Sequence, residues 1–87
     1  MDDSWSLYIV ECADGTLYTG IARSVAERIE AHNSGRGAKY TRGRGPVALR
    51  MQVDGLTHED ALRREREVKR LDRSRKLELV NSSGAKS

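Results

Sequence analysis

The stretch LYIVECADGTLYTGI, Leu7 to Ile21, decides the fold. Leu7 to Cys12 is short, β-branched and aromatic, a composition that favours a strand. Ala13-Asp14-Gly15 is a turn signal, and Thr16 to Ile21 reads as a second strand, so the stretch is a hairpin. Two registers are open. A two-residue Asp-Gly loop would pair Tyr8 with Ile21 and place Tyr8 and Tyr18 on opposite faces. A three-residue Ala-Asp-Gly loop, with Gly15 in the left-handed conformation as a bulge, pairs Val10 with Tyr18 instead. Tyr8, Val10 and Tyr18 then share one face, while Leu7, Ile9, Leu17 and Ile21 line the other. A one-residue slip would flip every side chain of one strand relative to its partner. The second register segregates the aliphatic residues better and is preferred.

Outward from the hairpin, Ser24-Val25-Ala26-Glu27 has the form of a capping box and opens a helix to about Asn33, ending near Gly35. Gly35 to Pro46 is rich in glycine and basic residues and reads as a loop. Val47 to Val53 reads as a third strand, closed by Asp54-Gly55. Thr57 caps a second long helix to about Leu71, with Glu59 and Asp60 in its first turn, where they favour the helix dipole. Asp72 or Ser74 starts a last short helix through Val80. Residues 81–87 have the composition of a frayed tail. The order is ββα-β-αα, with neither an internal repeat nor an interdomain linker.

Eighty-seven residues allow one domain with one modest core. The net charge of +3 says little about partners, but its distribution says more. Gly35 to Arg50 carries five basic residues and no acid, and Arg63 to Lys76 carries eight against three acids. Either a solvated surface or a face for a polyanion accounts for this. Cys12 is the sole cysteine, so an intramolecular disulfide is excluded and a reducing, cytoplasmic setting is expected. Neither a secretory signal nor a membrane span is legible.

Some residues sit where a purely structural reading is awkward. On the second helix Ala61, Leu62 and Val68 mark the apolar stripe, and Glu65 falls in its middle. A carboxylate there is costly unless it is paired with a nearby arginine or binds a hard divalent cation such as Mg²⁺. On the first helix Val25 and Ile29 define the inner face, with Arg28 and His32 one turn apart beside them. A half-buried arginine is usually paired or anion-binding, and a lone histidine on such a face is more often a satisfied core residue than a catalyst. Two histidines and one cysteine are too few for a structural zinc site.

In their order, these residues resemble the GIY-YIG nuclease domain. Leu7-Tyr8-Ile9-Val10 is similar to the first half-motif, without its leading glycine, and Leu17-Tyr18-Thr19-Gly20 is similar to the second. Arg28 stands ten residues after Tyr18, where the family has its arginine; His32 lies at a position held by Tyr or His, and Glu65 matches the metal-binding glutamate. The run from Ser34 to Gly43, which includes Tyr40, is similar to a signature of the small stand-alone YhbQ-like group. The resemblance spans about Ser6 to Val80, so residues 6–80 are expected to form one nuclease-like domain. It implies an α+β fold, a small three-stranded antiparallel sheet flanked by helices, with the site between the two long helices.

The resemblance further implies hydrolysis of DNA phosphodiesters. Tyr8 would be the base, its pKa lowered by the metal and Arg28, with Tyr18 positioning water or phosphate. Arg28 would neutralise the phosphate, His32 would assist a tyrosine, and Glu65 would hold Mg²⁺ or Mn²⁺. Arg36, Lys39, Tyr40, Arg42 and Arg44 would contact the nucleic acid. Single-stranded, nicked or branched DNA is a better expectation than a unique duplex sequence, because no recognition helix is appended. Two rival readings are a non-catalytic nucleic-acid-binding module and a nuclease subunit completed by a protein partner.

Overall fold

In the computed structural model, residues 3–34 and 46–84 are described. The elements are β1 (Trp5–Glu11), β2 (Leu17–Ala22), α1 (Val25–Asn33), β3 (Ala48–Leu56), α2 (His58–Lys69) and α3 (Arg73–Gly84), the expected ββα-β-αα order. The sheet is antiparallel throughout, in the order β2-β1-β3. The fold is therefore the expected α+β arrangement.

β1 is the middle strand, and its residues Ser6 to Val10 are buried whichever way they point. Leu7 and Ile9 face one layer of core, with Met51, Leu56, Ala61, Val68 and Val80. Tyr8 and Val10 face the other, with Cys12, Ala22, Val25 and Val47. Thus α2 and α3 cover one side of the sheet and α1 covers the second. Each fully buried aliphatic side chain of this kind contributes about 1.5–3 kcal/mol over leaving it in water. Among the described residues, no helix is long and apolar enough to cross a membrane.

The hairpin has the preferred register, with Val10 opposite Tyr18 and Tyr8 opposite Gly20. Gly15 has φ 87°, and backbone bonds from Cys12 N–H to Thr16 O (2.8 Å) and Gly15 N–H to Cys12 O (2.9 Å) close the three-residue loop. Asp14 stiffens it by accepting from both the backbone and the hydroxyl of Thr16.

The third strand departs from expectation. Asp54-Gly55 does not close it; the pairing continues to Leu56. Leu7 pairs with Val53 and Trp5 with Leu56, so Ser6 alone faces both Asp54 and Gly55. Gly55 has φ 77°. A left-handed glycine serves a bulge as well as a turn, and the Asp54 carboxylate completes this one by accepting from Ser6 Oγ at 2.6 Å. A second shift, between Ile9 and Val10, accompanies an ion pair of Arg50 with Glu11 at 2.9 Å.

The helix caps are those the sequence announces. Ser24 Oγ accepts from Glu27 N–H and Thr57 Oγ1 from Asp60 N–H. α2 ends at Lys69, earlier than Leu71, because Arg70 and Leu71 bond back three residues, to Glu67 and Val68, and tighten the turn. Asp72 Oδ1 accepts from Arg75 N–H and starts α3. That helix runs to Gly84, past the Val80 end expected for it.

Candidate functional site

Tyr8 reaches the α1 side of the sheet from its central strand and is 1% exposed. Its ring lies across Gly20 on β2. A Cβ at Gly20 would stand 2.6 Å from Tyr8 Oη and 2.7 Å from Cζ. The glycine is therefore a matter of space, since any side chain there would displace the phenol.

Across the layer, His32 presents Nε2 to Tyr8 Oη at 3.1 Å. It is buried at 2% exposure. The Ser24 cap and the inward Val25 set the rotation of α1 that points the imidazole at the sheet. Tyr18 completes a three-ring group: its centroid is 6.4 Å from that of Tyr8 and 5.3 Å from that of His32, the latter edge-on.

Burial, reinforced by the neighbouring Tyr18 and Glu65, pushes the Tyr8 phenol up to about 12, and Arg28 only partly opposes this. The expectation of a phenol acidified by Arg28 is thus corrected for the chain's own groups, because desolvation outweighs the guanidinium. His32 is lowered from its ordinary value, first by burial and then by Arg28. A neutral imidazole therefore faces a protonated phenol at neutral pH. In the Nδ1–H tautomer, Tyr8 donates to Nε2, and both shifts oppose passing that proton from oxygen to nitrogen unless a further charge stabilises the imidazolium.

Arg28 is exposed rather than half-buried. The rotation that turns Val25, Ile29 and His32 inward leaves it at the rim, where its charge still acts on Tyr8 and His32. Glu65 is partly buried, with 19% of its side chain exposed, and its partner is Lys69 at 3.2 Å, rather than an arginine. Lys69 Nζ also lies 5.9 Å from the Tyr18 ring centroid. α2 packs chiefly on the opposite face through Ala61 and Val68. Its polar side, however, reaches round the edge strand β2 to the tyrosines.

Among the described residues no three His, Cys, Asp or Glu side chains converge as a metal cage. A single carboxylate oxygen donor such as Glu65 suits a hard cation that keeps most of its waters and takes phosphate oxygens from a substrate. The donor chemistry fits Mg²⁺ or Mn²⁺ and does not fit zinc. Arg36, Lys39, Tyr40, Arg42 and Arg44 lie outside the described residues. The positions flanking that segment are joined, Asn33 Oδ1 accepting from Val47 N–H at 2.6 Å.

The structure thus brings Tyr8, Tyr18 and His32 into one cluster, with Arg28 and Glu65 at its rim. Lys69 escapes a reading of the sequence, although its position four residues after Glu65 is the spacing of a helical ion pair. Trp5, Arg23 and His58 are a second omission. The indole and the His58 ring are 4.4 Å apart, and the Arg23 guanidinium lies 5.5 Å from the indole centroid.

Comparison with known proteins identifies the family and the fold. A family model described as the GIY-YIG catalytic domain matches residues 4–78. The UPF0213 proteins of Staphylococcus aureus strains Mu3 and N315 are each 51% identical over 78 residues, covering 90% of this chain and 95% of theirs. The solution NMR structure of UPF0213 protein BH0048 from Bacillus halodurans superposes with a TM-score of 0.61 at 49% identity. The match covers 92% of this chain and 85% of that one.

Proposed function

This chain belongs to the GIY-YIG family of nuclease domains, and from that premise we propose that it is a metal-dependent DNA nuclease that selects strand structure rather than base sequence. The observation that carries the reading is the buried contact of Tyr8 Oη with His32 Nε2 at 3.1 Å, with Arg28 and Glu65 beside it.

Arg28 holds a phosphate oxygen of the substrate with directed, charge-assisted hydrogen bonds. A water approaching the phosphorus gives its proton to Tyr8 Oη as the phenol gives its own to His32 Nε2. This relay suits a phenol too weakly acidic to act as a free phenolate. Burial makes the imidazolium costly, and the anionic phosphate held by Arg28 offsets that cost. Tyr18 orients the water or the phosphate. Glu65, on leaving Lys69, would hold Mg²⁺ or Mn²⁺; such a cation, when bound, stabilises charge on the phosphate and the leaving alcohol.

Arg36, Lys39, Arg42 and Arg44 supply salt-sensitive phosphate contacts without reading sequence, and Tyr40 offers a ring to a base. Single-stranded, nicked and branched DNAs are the substrates that fit, and DNA repair or processing is the setting. The test is a panel of such DNAs, end-labelled, with Mg²⁺ or Mn²⁺. Wild type cleaves at least one, and Glu65→Gln binds it without cutting. Absence of cleavage across the panel in both metals, or cleavage indifferent to Glu65→Gln, would overturn the reading.

A further inference from the structure

A cavity opens beside Arg28. Its volume is about 450 Å³, and Trp5, Arg23, Ser24, Glu27 and Arg28 are among the residues that line it. Its wall is layered. His58 packs against the indole at 4.4 Å, and the Arg23 guanidinium stands over the same ring system at 5.5 Å. The indole and the guanidinium that line the cavity are thereby held as one unit, an aromatic ring with a planar cation layered on it. The size suits one nucleotide, and the combination of a π-surface with guanidinium groups is how proteins hold an unpaired base beside its phosphate. Glu27 adds an acceptor for a base's amino group, something a simple anion trap would lack.

Arg28 belongs to both places: it lines this cavity, and its charge reaches Tyr8 and His32. A strand whose phosphate sits at Arg28 therefore has its next nucleotide at the cavity mouth. From this we infer that the Trp5–Arg23 cavity binds one unpaired nucleotide of the substrate strand, immediately beside the phosphate held by Arg28. The inference rests on the proposed DNA reading and deepens it. It makes an unstacked flanking base a requirement, because a base paired within a duplex cannot enter the cavity.

Trp5 is the sole tryptophan, so its fluorescence reports on this cavity alone. The experiment titrates wild-type protein with a single-stranded oligonucleotide in the presence of EDTA, so that binding is read without cleavage. Fluorescence anisotropy of a label on the DNA gives occupancy in parallel. Saturable quenching of Trp5 that tracks occupancy is expected, and replacing one base of the oligonucleotide by an abasic residue should abolish it at one position in a fixed-register hairpin substrate. Arg23→Gln, which keeps the reporter, should weaken binding several-fold; Trp5→Leu should weaken it about ten-fold or more. A blunt duplex should bind without quenching, and dAMP at the same concentration should leave the emission unchanged.

Full occupancy with unchanged Trp5 emission would overturn the inference even if the protein cuts DNA. Equal quenching by duplex or by dAMP would overturn it too, and so would a failure of the oligonucleotide to bind. Quenching without cleavage on the panel above would leave the cavity standing and remove the nuclease reading.

Discussion

Tyr8 and Gly20 face each other across the hairpin, and the ring of the first fills the volume that a side chain on the second would need. The two half-motifs are in this sense one object. Gly20→Ala should destabilise the fold by about 1–3 kcal/mol, the usual cost of overpacking a buried site. In a Tyr8→Ala background the same change should cost well under half as much. Urea denaturation of the four proteins measures the coupling. Additive costs would mean that the ring does not depend on the glycine.

Stability should fall in mild acid because of His32. Its folded pKa lies below the ordinary 6.5, so the unfolded chain binds the extra proton first. The stability linked to this histidine is complete above pH about 6.5 and declines as the pH drops towards the folded value. His32→Gln should flatten the dependence of Tm between pH 7 and 5. Asp54 is also lowered, by its bonds from Ser6 and Gln52. Its contribution is lost only as pH falls through the carboxylate range, so the two groups are separable. An unchanged slope in the variant would remove His32 as the cause.

Tyr8 works at the alkaline end. Its phenol is raised to about 12, so folding holds a proton that the unfolded chain releases near 10. Stability from this source is present below pH 10 and is lost as the pH rises towards 12. An absorbance titration at 295 nm should show one tyrosine ionising late or with unfolding, and Tyr8→Phe should delete that step.

Lys69 neutralises the carboxylate proposed to take a metal. Lys69 is half-exposed, so the pair is weak, about 0–1 kcal/mol. Lys69→Met should accordingly tighten Mn²⁺ binding by up to about five-fold, read as loss of the free-ion EPR signal. Affinity that stays the same or falls would show that the ammonium does not compete at Glu65.

Thr19 offers a gain. It is buried, and its hydroxyl oxygen has no hydrogen-bond partner among the described residues. Thr19→Val preserves the shape and removes the stranded hydroxyl, so it should stabilise by about 1 kcal/mol. A lower Tm would mean that the oxygen is satisfied in solution.

The hairpin and its register were legible because alternation leaves one pairing that separates aliphatic from aromatic side chains. The caps at Ser24 and Thr57 were legible because each signal is local. Asp54-Gly55 was misread for the same local reason, since a turn and a bulge ask the same thing of glycine and differ only in what lies opposite. Arg28 at the rim depended on how far α1 rotates, which helical spacing does not fix to better than a side chain's width. Likewise, the rise in the Tyr8 pKa follows from burial against β2, α1 and Val47, which only the fold brings together. Periodicity put Glu65 within an apolar stripe, and Lys69 stood at the i+4 spacing of a partner, but that the pair lies against Tyr18 depended on where the helix meets the sheet edge.

The bond between Asn33 and Val47 gives the molecule a handle. Asn33 at the end of α1 and Val47 just before β3 are tied across 14 positions of sequence, so a side chain as well as the chain itself holds helix to strand. The same tie steadies the end of α1, one residue from His32 and its contact with Tyr8. On the proposed function, the cutting residues are thus anchored by groups other than Arg36, Lys39, Arg42 and Arg44, and the two sets can be retuned separately by design.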